Sequence, residues 1–299
     1  MTDRLPHLDM AALDAGDEAA LAELARGARE VGFFTLQNTA LTEADVREVL
    51  EAYRAFFALP KARKEAIDMA RTGANRGWGA PGSEQVDPEA NPDYKQVFDM
   101  GHEWPESGLR VYAPNLWPEG LPGFREALES YFEAARSVAL DLLSHVARAV
   151  GRDPGHFRAA FDRPMALLRG NYYPQRPEWA GEKDFGIATH TDYGCLTLLA
   201  MDGTPGLEVR KRGGGWIPVT VAPGTFVINF GEMLQMWTSG EILATPHRVK
   251  GSTEERISAP LFFNPRFDTN VAPPGEPPIR AVDHLQKRFD ETYLHLKRA

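Results

Sequence analysis

The chain has 299 residues, of which 43% are hydrophobic and 25% charged, values that are typical of globular proteins and exclude a disordered chain. The formal net charge of −9 repels polyanions and no basic cluster offsets it, so we expect no nucleic-acid partner. The single cysteine, Cys195, excludes an internal disulfide, an iron–sulfur cluster and a cysteine zinc site.

The N-terminal residues lack a basic stretch followed by an apolar run, and no run of about 18 apolar residues occurs in the chain. Neither a secretory signal nor a membrane partner is therefore expected, and with the lone cysteine this favours a cytoplasmic protein. Because all-β folds of about 200 to 250 residues often form one domain, we expect a single domain over residues 1–299. Its oligomeric state is not predicted.

Helical and loop patterns dominate the first part of the chain. Apolar residues recur at helical spacing over residues 21–31, and Gly32 ends this pattern before the short predicted strand FFTL. Thr42 and Asp45 form a start that resembles a capping box for a second helix. Residues 72–117 are rich in Gly, Pro and Asn, and we expect this long loop to cover an active site.

Strand patterns dominate the second part, after one more helix. Residues 123–150 carry the longest helical pattern, which Gly151 ends. Short β-type runs separated by turn residues follow Met165: MALLRGNYY, CLTLLA, GLEVR, GWIPV, TFVINF, MLQMW and RISAPLFF. A last helix is expected within residues 280–299, roughly from His284 to Leu296. The fold class predicted is mainly β, a sandwich or barrel with flanking α-helices.

A metal-binding pattern lies at the start of one of these strands. His190 and Asp192 are two positions apart just before CLTLLA, and on an extended chain such residues face the same side. His247 is in a segment with the β-branched Val249, which can run beside the first strand in an antiparallel sheet. Two histidines and one carboxylate are the ligand set of many non-haem iron(II) oxygenases. A lone histidine near an aspartate is more often an ordinary hydrogen-bonded pair, so the assignment depends on the surrounding residues.

Two further strands carry polar residues at the same spacing. Arg256 and Ser258 share a strand face, and because an arginine fork matches a carboxylate bidentately, this pair indicates a dicarboxylate co-substrate. Arg169, Asn171 and Tyr173 alternate in LLRGNYYP. The last two can form hydrogen bonds to a carboxylate or keto oxygen.

In order and spacing, these motifs resemble the isopenicillin N synthase-like family of iron(II)/2-oxoglutarate-dependent dioxygenases. The matching motifs in residues 165–265 are NYYP, HTD, TLL, PGLEV, WIPV, FVINFGEMLQMWTSG, HRV and RIS. The stretches LPHLDM and EVGFFTLQN, within residues 1–120, look like the N-terminal helical and loop region of the family. The resemblance therefore covers most of the chain.

The resemblance implies a double-stranded β-helix, or jelly roll, with its core in residues 165–265. It implies that His190, Asp192 and His247 bind iron(II), that Arg256 and Ser258 hold the distal carboxylate of 2-oxoglutarate, and that Tyr173 and Asn171 lie beside this co-substrate. It also implies the reaction, in which the enzyme uses O2 to oxidise a small organic molecule, most simply by hydroxylation, and releases succinate and CO2.

Five residues are expected near the primary substrate. Arg169 and Phe262 share strand faces with the predicted 2-oxoglutarate residues, and an inward-pointing Arg169 favours an acidic substrate group. Arg76, Trp78 and Lys95 lie in the long segment that the family uses for substrate contacts. The sequence does not identify the substrate, or distinguish hydroxylation from desaturation or cyclisation.

Two departures from the family pattern concern loop details. Glu232 follows Gly231 where the family usually has an aspartate, and residues 37–40 read QNTA in place of a common Asn-His-Gly run. Neither departure changes a predicted iron or 2-oxoglutarate residue.

Three other functions are compatible with parts of the pattern. The first is an oxidase of the same family that acts without 2-oxoglutarate, as isopenicillin N synthase does, and which would release no succinate. The second is a zinc hydrolase with a metal-bound water, which would remain active without oxygen. The third is a non-catalytic binding protein that retains the fold, and the intact ligand set argues against it.

Overall fold

The computed structural model describes residues 4–73, 75–176, 178, 180–181, 184–251 and 253–294. The helices are α1 (Met10–Asp14), α2 (Glu18–Arg26), α3 (Glu43–Phe57), α4 (Lys61–Glu65), α5 (Met69–Thr72), α6 (Phe124–Ala149), α7 (Glu232–Trp237) and α8 (Ala281–Thr292). The strands are β1 (His7–Asp9), β2 (Phe33–Gln37), β3 (Gly77–Gly79), β4 (Gln96–Gly101), β5 (Leu167–Tyr173), β6 (Ile187–His190), β7 (Leu196–Met201), β8 (Leu207–Arg210), β9 (Trp216–Val219), β10 (Phe226–Phe230), β11 (His247–Val249) and β12 (Arg256–Phe263). Within the described ranges, no helix is long and apolar enough to cross a membrane.

Two sheets form the jelly roll and confirm the predicted fold class. The larger sheet has eight strands in the order β1-β2-β10-β7-β12-β5-β4-β3, and the smaller has four in the order β6-β11-β8-β9. Only β1 and β2 pair in parallel among these strands, and every other named pair is antiparallel.

The alternation of side chains along the strands separates two cores. Along β12, Ile257, Ala259 and Leu261 belong to the core shared with the helices, where α3 and α6 pack on the larger sheet. Arg256 and Ser258 alternate with them and therefore face the other side of the sheet. A second apolar core lies on that side, built from both sheets, and includes Phe33, Tyr173, Val209, Val219 and Val249. The polar residues of β12 thus point into the jelly roll.

The local signals that predicted the helices are present in the structure. Thr42 and Asp45 exchange side-chain-to-backbone hydrogen bonds at the start of α3, which is a capping box. At the end of α6, Gly151 has φ +78°, and the Arg152 amide donates to the Ala147 carbonyl at 2.8 Å, as in a Schellman motif. The apolar stripe of α6 is buried against the sheet, and each large side chain in it contributes roughly 1.5 to 3 kcal/mol.

Two expectations about local structure were wrong, and the last helix, which is present where it was expected, has different bounds. MLQMW, predicted as a β-type run, is the helix α7, because a short apolar run does not distinguish a strand from a helix. The segment 72–117, expected to be a loop throughout, contains β3 and β4, which extend the larger sheet beyond β5. The last helix begins earlier than predicted, at Ala281, and ends at Thr292. The expected end at Leu296 lies outside the described residues.

Candidate functional site

The three predicted metal ligands meet at the open end of the smaller sheet. His190 ends β6 and is paired with His247 at the start of β11, and their ring centroids are 4.3 Å apart. Oδ1 of Asp192 lies 3.7 Å from Nε2 of His190 and 3.6 Å from Nε2 of His247. One ligand atom from each residue therefore lies close enough to the others for all three to bind a single metal ion.

Hydrogen bonds orient each of these ligands. Nδ1 of His190 lies 2.8 Å from the Ala188 carbonyl, so this nitrogen carries the proton and Nε2 is free to bind a metal. The second oxygen of Asp192, Oδ2, accepts hydrogen bonds from Thr197 Oγ1 at 2.5 Å and Asn229 Nδ2 at 2.6 Å. Thr197 and Asn229 are cross-strand neighbours on β7 and β10. Neither residue was among the predicted site residues, although both are polar residues in otherwise apolar strand runs.

The charge states of the buried ligands suit metal binding. Burial lowers the pKa of His190 to about 3, and the neighbouring His247 acts in the same direction. Burial alone would raise the pKa of Asp192, but the two histidines and the hydrogen bonds from Thr197 and Asn229 lower it. At neutral pH the site thus offers a neutral His190 imidazole and a carboxylate, the forms that bind metal ions.

The predicted 2-oxoglutarate residues form a second cluster on neighbouring strands. Arg256 is opposite Tyr173 and Ser258 is opposite Asn171 in the pairing of β12 with β5. The Arg256 guanidinium lies 4.8 Å from the centroid of the Tyr173 ring, and its Nη1 is 3.4 Å from Ser258 Oγ. All four side chains are buried.

This cluster has unused hydrogen-bonding groups. Among the residues that the structure describes, Arg256 is paired with no carboxylate, and its Nε has no hydrogen-bond partner. Oδ1 of Asn171 is also buried and has no partner among these residues. Because an uncompensated buried guanidinium is costly, the cluster fits a ligand carboxylate.

A cavity of about 120 Å³ opens beside the metal ligands. Its wall includes His190 and Asp192, the predicted co-substrate residue Asn171, and four of the five predicted substrate residues, which are Arg76, Lys95, Arg169 and Phe262. Trp78 lies elsewhere, packed in the helix-side core with its Nε1 donating to Gln96 Oε1 at 3.0 Å. Asn171 therefore connects the Arg256 cluster to the substrate cavity.

Two of the cationic wall residues are neutralised inside the protein. Arg169 forms a bidentate pair with Asp99, with nitrogen–oxygen distances of 2.8 and 2.7 Å, and also contacts Glu84 at 2.9 Å. Nζ of Lys95 lies 2.8 Å from both Glu84 and Asp93. Sequence reasoning missed these three acidic partners, and Arg169 is not a free cation available to an acidic substrate.

Arg76 differs from these two residues. It is 1% exposed, and its hydrogen bonds to described residues go to backbone carbonyls, at 2.8 Å for both Asn75 and Val111. Its Nε has no hydrogen-bond partner in the described part of the chain. Burial lowers the pKa of Arg76 to about 10, so the side chain remains charged at neutral pH.

Comparison with known proteins identifies the family. Residues 164–265 match the 2OG-Fe(II) oxygenase superfamily, and residues 5–120 match the family described as non-haem dioxygenase in morphine synthesis N-terminal. The chain is 32% identical over 321 residues to an oxoglutarate-dependent flavonoid 7-O-demethylase from Ocimum basilicum, an alignment that covers 99% of this chain and 82% of the relative. This chain belongs to the 2OG-Fe(II) oxygenase superfamily. The dioxygenase is also 32% identical over 273 residues to a homoarginine-6-hydroxylase from Glycine max, covering 87% of this chain and 82% of the relative.

Solved structures agree with this assignment. Full-length Neurospora crassa T7H in complex with alpha-KG superimposes on the dioxygenase with a TM-score of 0.86 and 27% identity, covering 96% of each chain. The enzyme is thus an iron(II)- and 2-oxoglutarate-dependent dioxygenase, as predicted. When iron(II) and 2-oxoglutarate are bound, the chemistry they supply is oxidation of an organic substrate by O2, with conversion of 2-oxoglutarate to succinate and CO2. The zinc hydrolase and the non-catalytic binding protein are set aside.

Proposed function

We propose that this dioxygenase hydroxylates a small organic acid whose body is mainly apolar. The proposal assigns iron(II) to His190, Asp192 and His247, and the distal carboxylate of 2-oxoglutarate to Arg256 and Ser258, with Tyr173 and Asn171 beside the co-substrate. The observation that carries the 2-oxoglutarate assignment is the buried Arg256 guanidinium, which lacks a carboxylate partner among the described residues. A dicarboxylate supplies the missing charge.

The apolar body of the substrate is inferred from the cavity wall. Besides the metal ligands and the charged residues, the wall contains aliphatic and aromatic side chains, including Val86, Met165, Leu167, Ile187, Phe262, Leu285 and Phe289. Phe262 lines this cavity, and we propose that its ring packs against the substrate. Such a wall favours an apolar ligand surface with a few fixed polar contacts.

The acidic group of the substrate is inferred from the charge balance of the wall. Lys95 and Arg169 are offset by Glu84, Asp93 and Asp99, so they add little net charge. Arg76 lines the cavity and has no carboxylate within ion-pair distance among the described residues, although Asp99 and Glu103 act on its charge from farther away. A substrate carboxylate near this guanidinium would offset its buried charge.

The test is substrate-dependent succinate release with matched acids and methyl esters. We expect the wild-type enzyme to release succinate with certain small carboxylic acids and far less with their esters, because only the acid can pair with Arg76. Arg76→Gln should lower kcat/KM for the acid and leave the ester rate unchanged, and Arg76→Lys should retain part of the preference. Arg71→Gln is the control, since this nearby exposed arginine also donates to a backbone carbonyl. Equal use of acids and esters by the wild-type enzyme would overturn the proposed substrate class.

We also infer a single domain and a cytoplasmic location. The single-domain proposal is supported by the shared core, in which helices from the N-terminal region pack against the jelly-roll strands. The location is supported by the cysteine content: Cys195 is a buried free thiol, which suits a reducing compartment.

A further inference from the structure

The C-terminal helix α8 forms one wall of the substrate cavity. Its side chains Leu285, Gln286, Phe289 and Thr292 line the cavity. Backbone hydrogen bonds of 3.1 Å join residues 83–85 to residues 292–294 at the end of the helix. Arg169, on β5, donates to the Tyr293 hydroxyl at 2.6 Å. The end of α8 is therefore held against both the larger sheet and the N-terminal region.

The same helix holds Tyr193, the residue that follows the metal ligand Asp192. The Tyr193 hydroxyl lies 2.5 Å from Thr292 Oγ1. Its carbonyl accepts a hydrogen bond of 3.0 Å from Nε2 of His284, and the Arg288 guanidinium lies 4.5 Å from its ring centroid. Three side chains of α8 thus contact one residue of the metal-binding loop.

Glu232 connects α8 to Thr191, the residue that precedes Asp192. Its Oε1 accepts hydrogen bonds from Thr191 Oγ1 at 2.5 Å and from Arg288 Nη2 at 3.1 Å. The backbone amide of Glu232 donates to the Asp192 carbonyl at 2.8 Å. Of the two sequence neighbours of Asp192, Tyr193 therefore contacts α8 directly, and Thr191 is connected to α8 through Glu232 and Arg288.

Glu232 and Arg288 form a partly buried ion pair that connects α7 to α8. Their side chains are 25% and 30% exposed, so the ion pair is less screened than one on the open surface.

We propose that Glu232 is a positioning residue, which through Arg288 couples α8 to the loop that carries Asp192. A substrate packed against α8 then influences how firmly Asp192 is held toward the metal. The inference rests on the proposed role of Asp192 as an iron ligand. It extends that role, because it assigns a function to a residue and a helix that contact neither iron nor 2-oxoglutarate.

The test compares variants of this connection with a matched change on the same helix. Glu232→Ala removes the acceptor for both Thr191 and Arg288, whereas Glu232→Gln keeps an uncharged acceptor. Asp283→Asn is the control, because it removes the exposed α8 ion pair to Arg280, whose atoms are 2.8 Å apart. The measurements are hydrogen exchange of residues 190–195 in the metal-free protein, anaerobic iron(II) affinity, and the visible band formed with iron(II) and 2-oxoglutarate.

We expect Glu232→Ala to accelerate exchange in residues 190–195 and to raise the iron(II) dissociation constant roughly tenfold, as for other groups that orient metal ligands. Glu232→Gln should show a smaller change and Asp283→Asn none. The inference would be overturned if Glu232→Ala kept the hydrogen-exchange rates and the iron(II) affinity of the wild type, even if its melting temperature were lower. It would also be overturned if Asp283→Asn changed both quantities as much as Glu232→Ala does. His190→Ala distinguishes failure of the proposed iron site from failure of the coupling. If His190→Ala still binds iron and forms the visible band, the proposed iron site is wrong. If it loses both while Glu232→Ala behaves like the wild type, only the proposed coupling is wrong.

Discussion

Replacing Thr197 with valine is expected to weaken iron binding without unfolding the protein. The Thr197 hydroxyl donates a hydrogen bond of 2.5 Å to Oδ2 of Asp192. Among the described residues, Asn229 is the other donor to this oxygen. The bond from Thr197 helps to lower the pKa of Asp192 and leaves Oδ1 directed toward the two histidines. Without it, the carboxylate binds protons more readily and can rotate away from the metal.

The size of the effect follows from the strength of this bond. A hydrogen bond to a charged group contributes about 1.5 to 3 kcal/mol, and about 1.4 kcal/mol corresponds to tenfold in a dissociation constant. Asn229 still orients the carboxylate in the variant, so the lower end of this range applies. We expect the iron(II) dissociation constant of Thr197→Val to rise roughly tenfold.

The assay is an anaerobic iron(II) titration, accompanied by thermal melting to verify the fold. Thr238→Val is the matched control, because Thr238 is also a buried threonine and its hydroxyl donates to a backbone carbonyl, that of Leu234, at 2.8 Å. This control should lose stability but keep wild-type iron affinity. Unchanged iron affinity in Thr197→Val would refute the argument that this hydroxyl orients Asp192.

Three further outcomes are expected. Arg256→Met should raise the 2-oxoglutarate dissociation constant roughly tenfold or more, since charge-assisted hydrogen bonds are lost, and should leave iron binding intact. Titrations of the visible band with 2-oxoglutarate and with iron(II) measure the two affinities. Weaker iron binding with unchanged 2-oxoglutarate binding would contradict the assignment. Gly231→Ala should lower the melting temperature, because its Cβ would lie 2.4 and 2.6 Å from backbone oxygens of the metal-binding loop, whereas Gly213→Ala, in open space, should not. Burial opposes ionisation of Glu84, but Arg169 and other partners hold its pKa at about 2. Ionised Glu84 therefore stabilises the fold above pH 4.5. In urea unfolding, the free energy of unfolding of the wild type should exceed that of Glu84→Gln by an amount that decreases as pH falls from 4.5 toward 2. A difference that does not change with pH would contradict this account.

Local patterns predicted much of the site because strands have a fixed two-residue period. That period was enough to place Arg256 and Ser258 on one face of β12, and the structure has both residues buried beside Tyr173. The helix α7 shows the limit of such patterns. Its apolar residues follow a strand directly, and its first backbone amides bond to the loop of Asp192, a partner that lies far away in the sequence.

The sequence by itself was enough to predict the fold class and the reaction class, which are confirmed, and to propose the metal ligands and the co-substrate pair, since all of these depend on short motifs with regular spacing. Only the tertiary structure decided what surrounds them. Arg169 is neutralised by Asp99 and Glu84, which are 70 and 85 residues away, and Asp192 is oriented by Asn229, 37 residues away. Such contacts depend on which strands and helices become neighbours, and no local period encodes that information. The charge of the substrate cavity is consequently a property of the folded chain, because a cation in the sequence acts on a ligand only where the fold leaves it without a partner.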